Sequence, residues 1–344
     1  MTIVEVTRES DIPGDPPDLG SLAEPAERGE AEALVREFTS SLDSAQRADV
    51  CFDYDHADAE RGPLRAFVSN HWQVTRPAVR SDFFRASQQA LIHAIFRATL
   101  SADAYPRVLR QLRDDCLGQP WGRNQSVALF GDPSSGPFQF AFTGRHITLR
   151  VDGGSDARVA FGGPLLYAHT VGWYVERPHH PGNVYWHEAV AASSWHATLP
   201  PALAERAIVQ RLPYEPPLGF RSDIPGLPLA DVDAEHLAAA DRLLDLLLAR
   251  FRTADRERVR RCLDACGGLR ACSIQFSQDG RMSAPLWDSW RLEGPAFIWH
   301  WRGFPHVHVW VHVASDPDVV VNAQQGTRIF PGQDPLQQPL FPFF

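Results

Sequence analysis

Lysine is missing from this chain: all 33 Lys-plus-Arg positions are arginine. Without an ε-amine there is no Schiff-base chemistry, no covalent pyridoxal phosphate, no phosphate-loop or kinase-strand lysine and no Ser-Lys hydrolysis. Glycine-rich nucleotide fingerprints, a Gly-x-Ser-x-Gly elbow and a His-Glu-x-x-His helix are missing as well. Their absence argues against nucleotide enzymes, serine hydrolases and metalloproteases. No apolar run approaches the ~18–20 residues that a membrane span needs. The first residues, Met1-Thr2-Ile3-Val4-Glu5, lack the basic start and apolar stretch of a signal peptide. A cytoplasmic location away from membranes is the expectation. Cysteine is scarce and odd in number, five in all, which reads as free thiols. Net charge is −9 with no basic stripe, so nucleic acid is not an expected partner.

What remains is an ordinary globular composition, 44% hydrophobic and 22% charged over 344 residues, enough for one large core or two smaller ones. Residues 1–30 are acidic and proline-rich and read as a disordered leader. One amphipathic helix is expected over Ala31–Asp49, then a pair over Phe83–Thr99 and Ala104–Cys116 with Ser101 and Asp103 between them. After Gly118 the period changes to two, giving strands at Ser126–Phe130, Phe138–Phe142, His146–Val151 and Arg158–Phe161. The same order returns with helices at Val232–Phe251 and Asp255–Cys266 and strands at Cys272–Phe276, Trp287–Leu292, Ala296–Trp301 and Val307–Val313.

Cys116 and Cys266, and Gly144 and Gly294, fall at matching places in the two series. The expected fold is therefore α+β, an internal duplication of helix pair plus antiparallel sheet with the halves related by a pseudo-twofold. The halves would be 31–176 and 226–330, joined by a loop-rich connection at 177–225 and followed by an apolar tail at 331–344. A pocket between the halves is the natural consequence.

The densest chemical signal is Phe304-Pro305-His306-Val307-His308-Val309-Trp310-Val311-His312. On a strand the three histidines and Trp310 share one side, and the valines form a core face on the other. His306 and His308 stand roughly 7 Å apart along the strand, a spacing at which two imidazoles can close on one metal ion. A plain outer face would more ordinarily carry Thr, Ser, Glu or Arg. His146 opens a strand of the first half, and a pseudo-twofold would bring it to this pair as third ligand or general base, with Arg145 beside it as an anion clamp. Trp310, Trp299 and His169 are candidates to line a substrate pocket. His179-His180 and His187-Glu188 form a second cluster, with less to place it on one surface. Cys262, Cys266 and Cys272 match no zinc or cluster spacing and read as packing.

Several of these motifs occur together elsewhere. Leu100, Ser101 and Tyr105 in the helix link, Gly144 and His146 at a strand start, Arg291–Pro295, and His306 with His308 resemble an uncharacterised bacterial domain-of-unknown-function family, the one numbered 3500. The resemblance spans roughly Ala31 to Ser315. The family pattern has Gly-His-His where this chain has Gly144-Arg145-His146, and asparagine at Pro305. It implies the same positions but no established reaction.

The residues themselves lead to an expected enzyme with a divalent metal on His306, His308 and His146: iron or copper, or zinc, with no pyridoxal phosphate and no nucleotide. Oxidation of a small aromatic or apolar substrate is the favoured reaction. Metal-assisted hydrolysis and metal-free binding of a small ligand are the alternatives. The oligomeric state is not legible.

Overall fold

The computed structural model describes residues 30–116, 118–170, 184–213, 215, 220, 224–278, 286–324 and 327–328. The expected leader (apart from Glu30, which opens the first helix), the apolar tail and His179-His180 lie outside the described residues. Eight helices are described: α1 (Glu30–Ser41), α2 (Ser44–Val50), α3 (Ala86–Ala98), α4 (Ala104–Asp115), α5 (Trp186–Thr198), α6 (Pro201–Ala207), α7 (Ala234–Leu248) and α8 (Thr253–Ala265). Five short strands precede α3: β1 (Cys51–Phe52), β2 (Ala57–Asp58), β3 (Gly62–Pro63), β4 (Phe67–Val68) and β5 (His71–Trp72). The first long series is β6 (Ser126–Gly131), β7 (Phe138–Gly144), β8 (Ile147–Gly153) and β9 (Leu165–His169). After β10 (Leu227–Pro228) comes the second series, β11 (Ser273–Ser277), β12 (Ser289–Gly294), β13 (Phe297–Arg302) and β14 (Val307–Val313). β15 (Asn322–Ala323) and β16 (Thr327–Arg328) close the described chain.

The class is α+β, and the eight long strands, with the short β1 and β10 at the two edges, form one sheet of ten in the order β1-β6-β7-β8-β9-β14-β13-β12-β11-β10. Every pairing is antiparallel except β1 with β6. The two series meet at β9 and β14, where Val309 stands opposite Tyr167 and His308 opposite Ala168.

Alternation decides which side chain goes where. Val307, Val309, Val311 and Val313 join the main core with Tyr167, Trp299, Trp301 and the inward faces of α3, α7 and α8. Each fully buried valine contributes about 1.5–3 kcal/mol of transfer free energy. The other sheet face is also covered: Leu166, Ala168 and Trp310 pack on Val68, while Ile298 and Ala314 pack on Phe220. β15 pairs with β4, so chain from both ends of the described structure lies over this second face. A strand buried on both sides can carry histidines that never meet bulk water.

Three expectations need correction. The single helix over Ala31–Asp49 is two, because Asp43 accepts from the Gln46 amide in a capping box and restarts the chain as α2. The strand at Arg158–Phe161 is a short 3-10 turn, since Phe161 (φ 58), Gly162 (φ 72) and Gly163 (φ 136) all have positive φ, a run that a strand cannot hold. The fourth strand is β9 instead. The connection 177–225 is not all loop, because α5 and α6 occupy much of it, α6 starting on Pro201 at its first turn. The five cysteines are free thiols, as expected. Among the described residues no helix is long and apolar enough to cross a membrane.

Candidate metal centre

β8 and β14 flank β9 and run in the same direction, so their starts lie at the same end of the sheet. His146 immediately precedes β8, and His306 immediately precedes β14 with His308 one register step further in. The ends are held. His146 sits at φ 58, a left-handed conformation that costs a non-glycine residue about 1–2 kcal/mol. Its amide donates to Asn70 O at 2.9 Å, and its carbonyl accepts from Ala168 N at 3.1 Å and from Gln111 Nε2 at 2.8 Å. Strain anchored from three directions is characteristic of a constructed site.

The three rings converge. His306 Nε2 lies 2.8 Å from His308 Nε2 and 3.2 Å from His146 Nε2. Ring centroids are 4.6–4.9 Å apart in all three pairs. All three side chains are buried, with relative exposures of 2–7%. Each neutral ring nitrogen is either a donor or a lone-pair acceptor, so of three nitrogens facing one point at least two present the same role. One ion bound at about 2.0–2.1 Å would use three lone pairs at once and set nitrogens about 2.8–3.4 Å apart, from right-angled to tetrahedral coordination. The two separations from His306 are close to that spacing, the three ligand nitrogens lie within 4.8 Å of one another, and among the described residues no other set of His, Cys, Asp and Glu groups is gathered in this way.

Carboxylates stand behind two of the rings. Asp115 Oδ1, at the end of α4, is 3.0 Å from His146 Nδ1, a close contact without hydrogen-bond geometry, and accepts from Thr170 N at 2.9 Å. Glu215 Oε1 is 3.0 Å from His308 Nδ1. Arg302 donates to Glu215 Oε1 at 2.8 Å and to the His306 carbonyl at 2.9 Å, and its guanidinium also reaches His308 Nδ1. Carboxylate behind imidazole is the usual support of a metal-ligating histidine, because it fixes the proton on Nδ1 and leaves Nε2 as the lone pair; at His308 the donor-only Arg302 guanidinium meets the same Nδ1 and opposes that tautomer.

The electrostatics agree. Burial, then the Arg145 charge, holds the His146 imidazolium well below its ordinary range, and burial, then Arg302, does the same for His308. Both are neutral near pH 7, the form that binds metal. Burial pushes Asp115 up to about 6, against the pull of His169 and Arg145. Burial also raises Glu215, with Arg302 opposing.

His146, His306 and His308 thus come together, and Arg145 is buried beside them. Trp310 shares the histidine face but packs against Val68, Leu166 and Ala168. Trp299 points to the opposite face, inside the main core. His169 is engaged elsewhere, with Nε2 3.1 Å from Asp114 and Nδ1 accepting from Val184 N. His312 stacks on Phe220 at 4.4 Å. Sequence reasoning missed Asp115, Glu215, Arg302 and Gln111. Asp115 had a signal, as the second of two acids in the last turn of a helix, where the macrodipole disfavours negative charge. Arg302 had one too, directly across from His308 once β13 and β14 are paired. Glu215, among prolines in the connection, had none.

A family model described as a protein of unknown function, DUF3500, matches residues 24–211, more than half of the chain. The matched stretch holds His146 and Asp115 and ends before Glu215 and the strands that bring His306 and His308. No curated protein and no solved structure matches.

Proposed function

The chain belongs to the DUF3500 family, and we propose that it is a metal-dependent enzyme acting on a small organic substrate, with one divalent ion on His146, His306 and His308. The convergence of the three Nε2 atoms, 2.8 and 3.2 Å from the central His306, carries the reading. An all-imidazole set suits iron, copper or zinc. Iron or copper would supply redox chemistry, the reading we favour, and zinc would supply an activated water for hydrolysis.

The chain's own part is positional. Asp115 and Glu215 orient two rings and raise their basicity. Arg302 compensates Glu215 and pins the His306 backbone, so ring and strand start move as one unit. Burial keeps the imidazoles neutral and excludes bulk water. The same burial favours a second reading, in which the ion is structural and ties the two strand series together.

We also infer an internal duplication. The strand order runs outward in mirrored fashion from β9 and β14, each series preceded by a helix pair. The two helix links exchange reciprocal bonds, Ser101 N to Arg250 O at 2.8 Å and Arg252 N to Thr99 O at 3.4 Å. This pattern supports a pseudo-twofold passing between the links. The proposal places the protein in the cytoplasm, where free thiols persist.

Metal content of the purified chain tests the proposal. About one iron, copper or zinc per chain is expected, falling to background in His306→Ala with His308→Ala. No metal in the parent protein, or equal metal in the variant, would remove it. Loss of thermal stability on chelation, with no metal-dependent turnover of any substrate, would select the structural ion.

A further inference from the structure

We infer that a second site, a cavity between the starts of α4 and α5 and the end of α7, binds a small carboxylate with an apolar body. The cavity measures about 210 Å³ and is lined by Ala104, Arg107, Val108, Tyr185, His187, Leu246 and Arg250 among others. At about 30 Å³ per water it has room for a small organic acid. None of the three metal-centre histidines lines it.

Arg250 carries the argument. Its side chain is 8% exposed, and its Nη2 is committed to Glu188, which also accepts from the Tyr167 hydroxyl. The guanidinium is fixed between rings, 3.6 Å from the Tyr167 centroid and 4.5 Å from that of Tyr185. Nε and Nη1 are left buried with no hydrogen-bond partner. Buried N–H groups without acceptors are costly, and a carboxylate offers the most lone pairs to satisfy them.

The surroundings point the same way. Two helices begin at the cavity, and neither N-cap residue, Asp103 of α4 nor Tyr185 of α5, caps its helix through its side chain. At α4 the Ala104 and Tyr105 amides are taken up by Ser101, so the N-terminus of α5 is the one without a cap. Arg107 adds a cation, one turn along α4 from the exposed Asp103, which also lines the cavity. Val108, Leu246 and Tyr185 supply the apolar wall. The cavity also has a mechanical link to the metal centre, since Tyr185 donates its hydroxyl to Gln111 Oε1 and Gln111 Nε2 donates to the His146 carbonyl.

Calorimetric titration of the full chain with benzoate and with benzamide tests the site. Saturable benzoate binding is expected, with benzamide weaker. Arg250→Gln is expected to weaken benzoate about tenfold or more, the loss of a charge-assisted bond. Because removing Arg250 leaves Glu188 buried alone, Ala249→Trp provides the second variant. Ala249 is exposed on the cavity rim, so the indole narrows the cavity while the ion pair stays intact. The His306→Ala, His308→Ala variant should bind benzoate as the parent does, which separates this site from the metal reading. Absence of benzoate binding, equal binding of benzamide, or binding unchanged in both cavity variants overturns the proposal.

Discussion

Not every buried histidine here has a partner, and His312 shows what that costs. Neither of its ring nitrogens has a hydrogen-bond partner. Burial, then the Arg150 charge, pushes its pKa from an ordinary 6.5 down to about 3. As pH falls below 6.5, the unfolded chain takes up this proton before the folded one, so stability is lost progressively down to about 3 and is unaffected above 6.5. A phenylalanine fits the same stack on Phe220 and does not titrate. His312→Phe should therefore melt higher than the parent at pH 4–5, by up to about 3 kcal/mol of stability, and match it near pH 7. Thermal denaturation across that range decides it, and parallel pH profiles would show that His312 is not the cause. His93, pushed down to about 4 by burial and by Arg97, adds acid sensitivity that the variant retains.

At the scale of elements, α4 is the support on which His146 rests. Gln111 and Asp115 are one turn apart on its buried side, the first donating to the His146 carbonyl and the second standing 3.0 Å from its Nδ1. Asp115→Asn keeps the volume and the acceptor for Thr170 N but removes the charge behind the ring. Metal affinity, measured by competition with a chelator, should fall about 10–100-fold. The same drop is expected for Glu215→Gln behind His308, and unchanged affinity in both would show that the carboxylates do not support the ligands. Helices such as α3, α4, α7 and α8 were legible because each has one apolar stripe and one wet face. α5 was not, because Trp186, Glu188, Ala189, Ala192, Ser193 and Trp195 are all buried, a mixture with no clean period. Period two found β14 without error for the same reason in reverse, four valines on one face against histidines and a tryptophan on the other.

At the scale of the molecule, the histidine cluster exists because a single sheet joins two stretches of chain 160 residues apart, putting His146 and His306 in contact. Parity along β14 made His306 and His308 legible, and the repeated order of elements made His146 their expected companion. The supporting carboxylates were not legible, because Asp115 and Glu215 act through tertiary approach, one from a helix end and one from a loop. The expected aromatic wall fared differently. Trp299 follows the parity of the core valines, which the sequence alone could have told once β13 and β14 were paired in register.

Anomalous diffraction from crystals grown without added metal, collected on both sides of the iron, copper and zinc absorption edges, tests the metal centre most directly. One peak is expected about 2.0–2.2 Å from the Nε2 atoms of His146, His306 and His308. Three imidazoles hydrogen-bonded to one another or to water, with no anomalous peak among them, would contradict it.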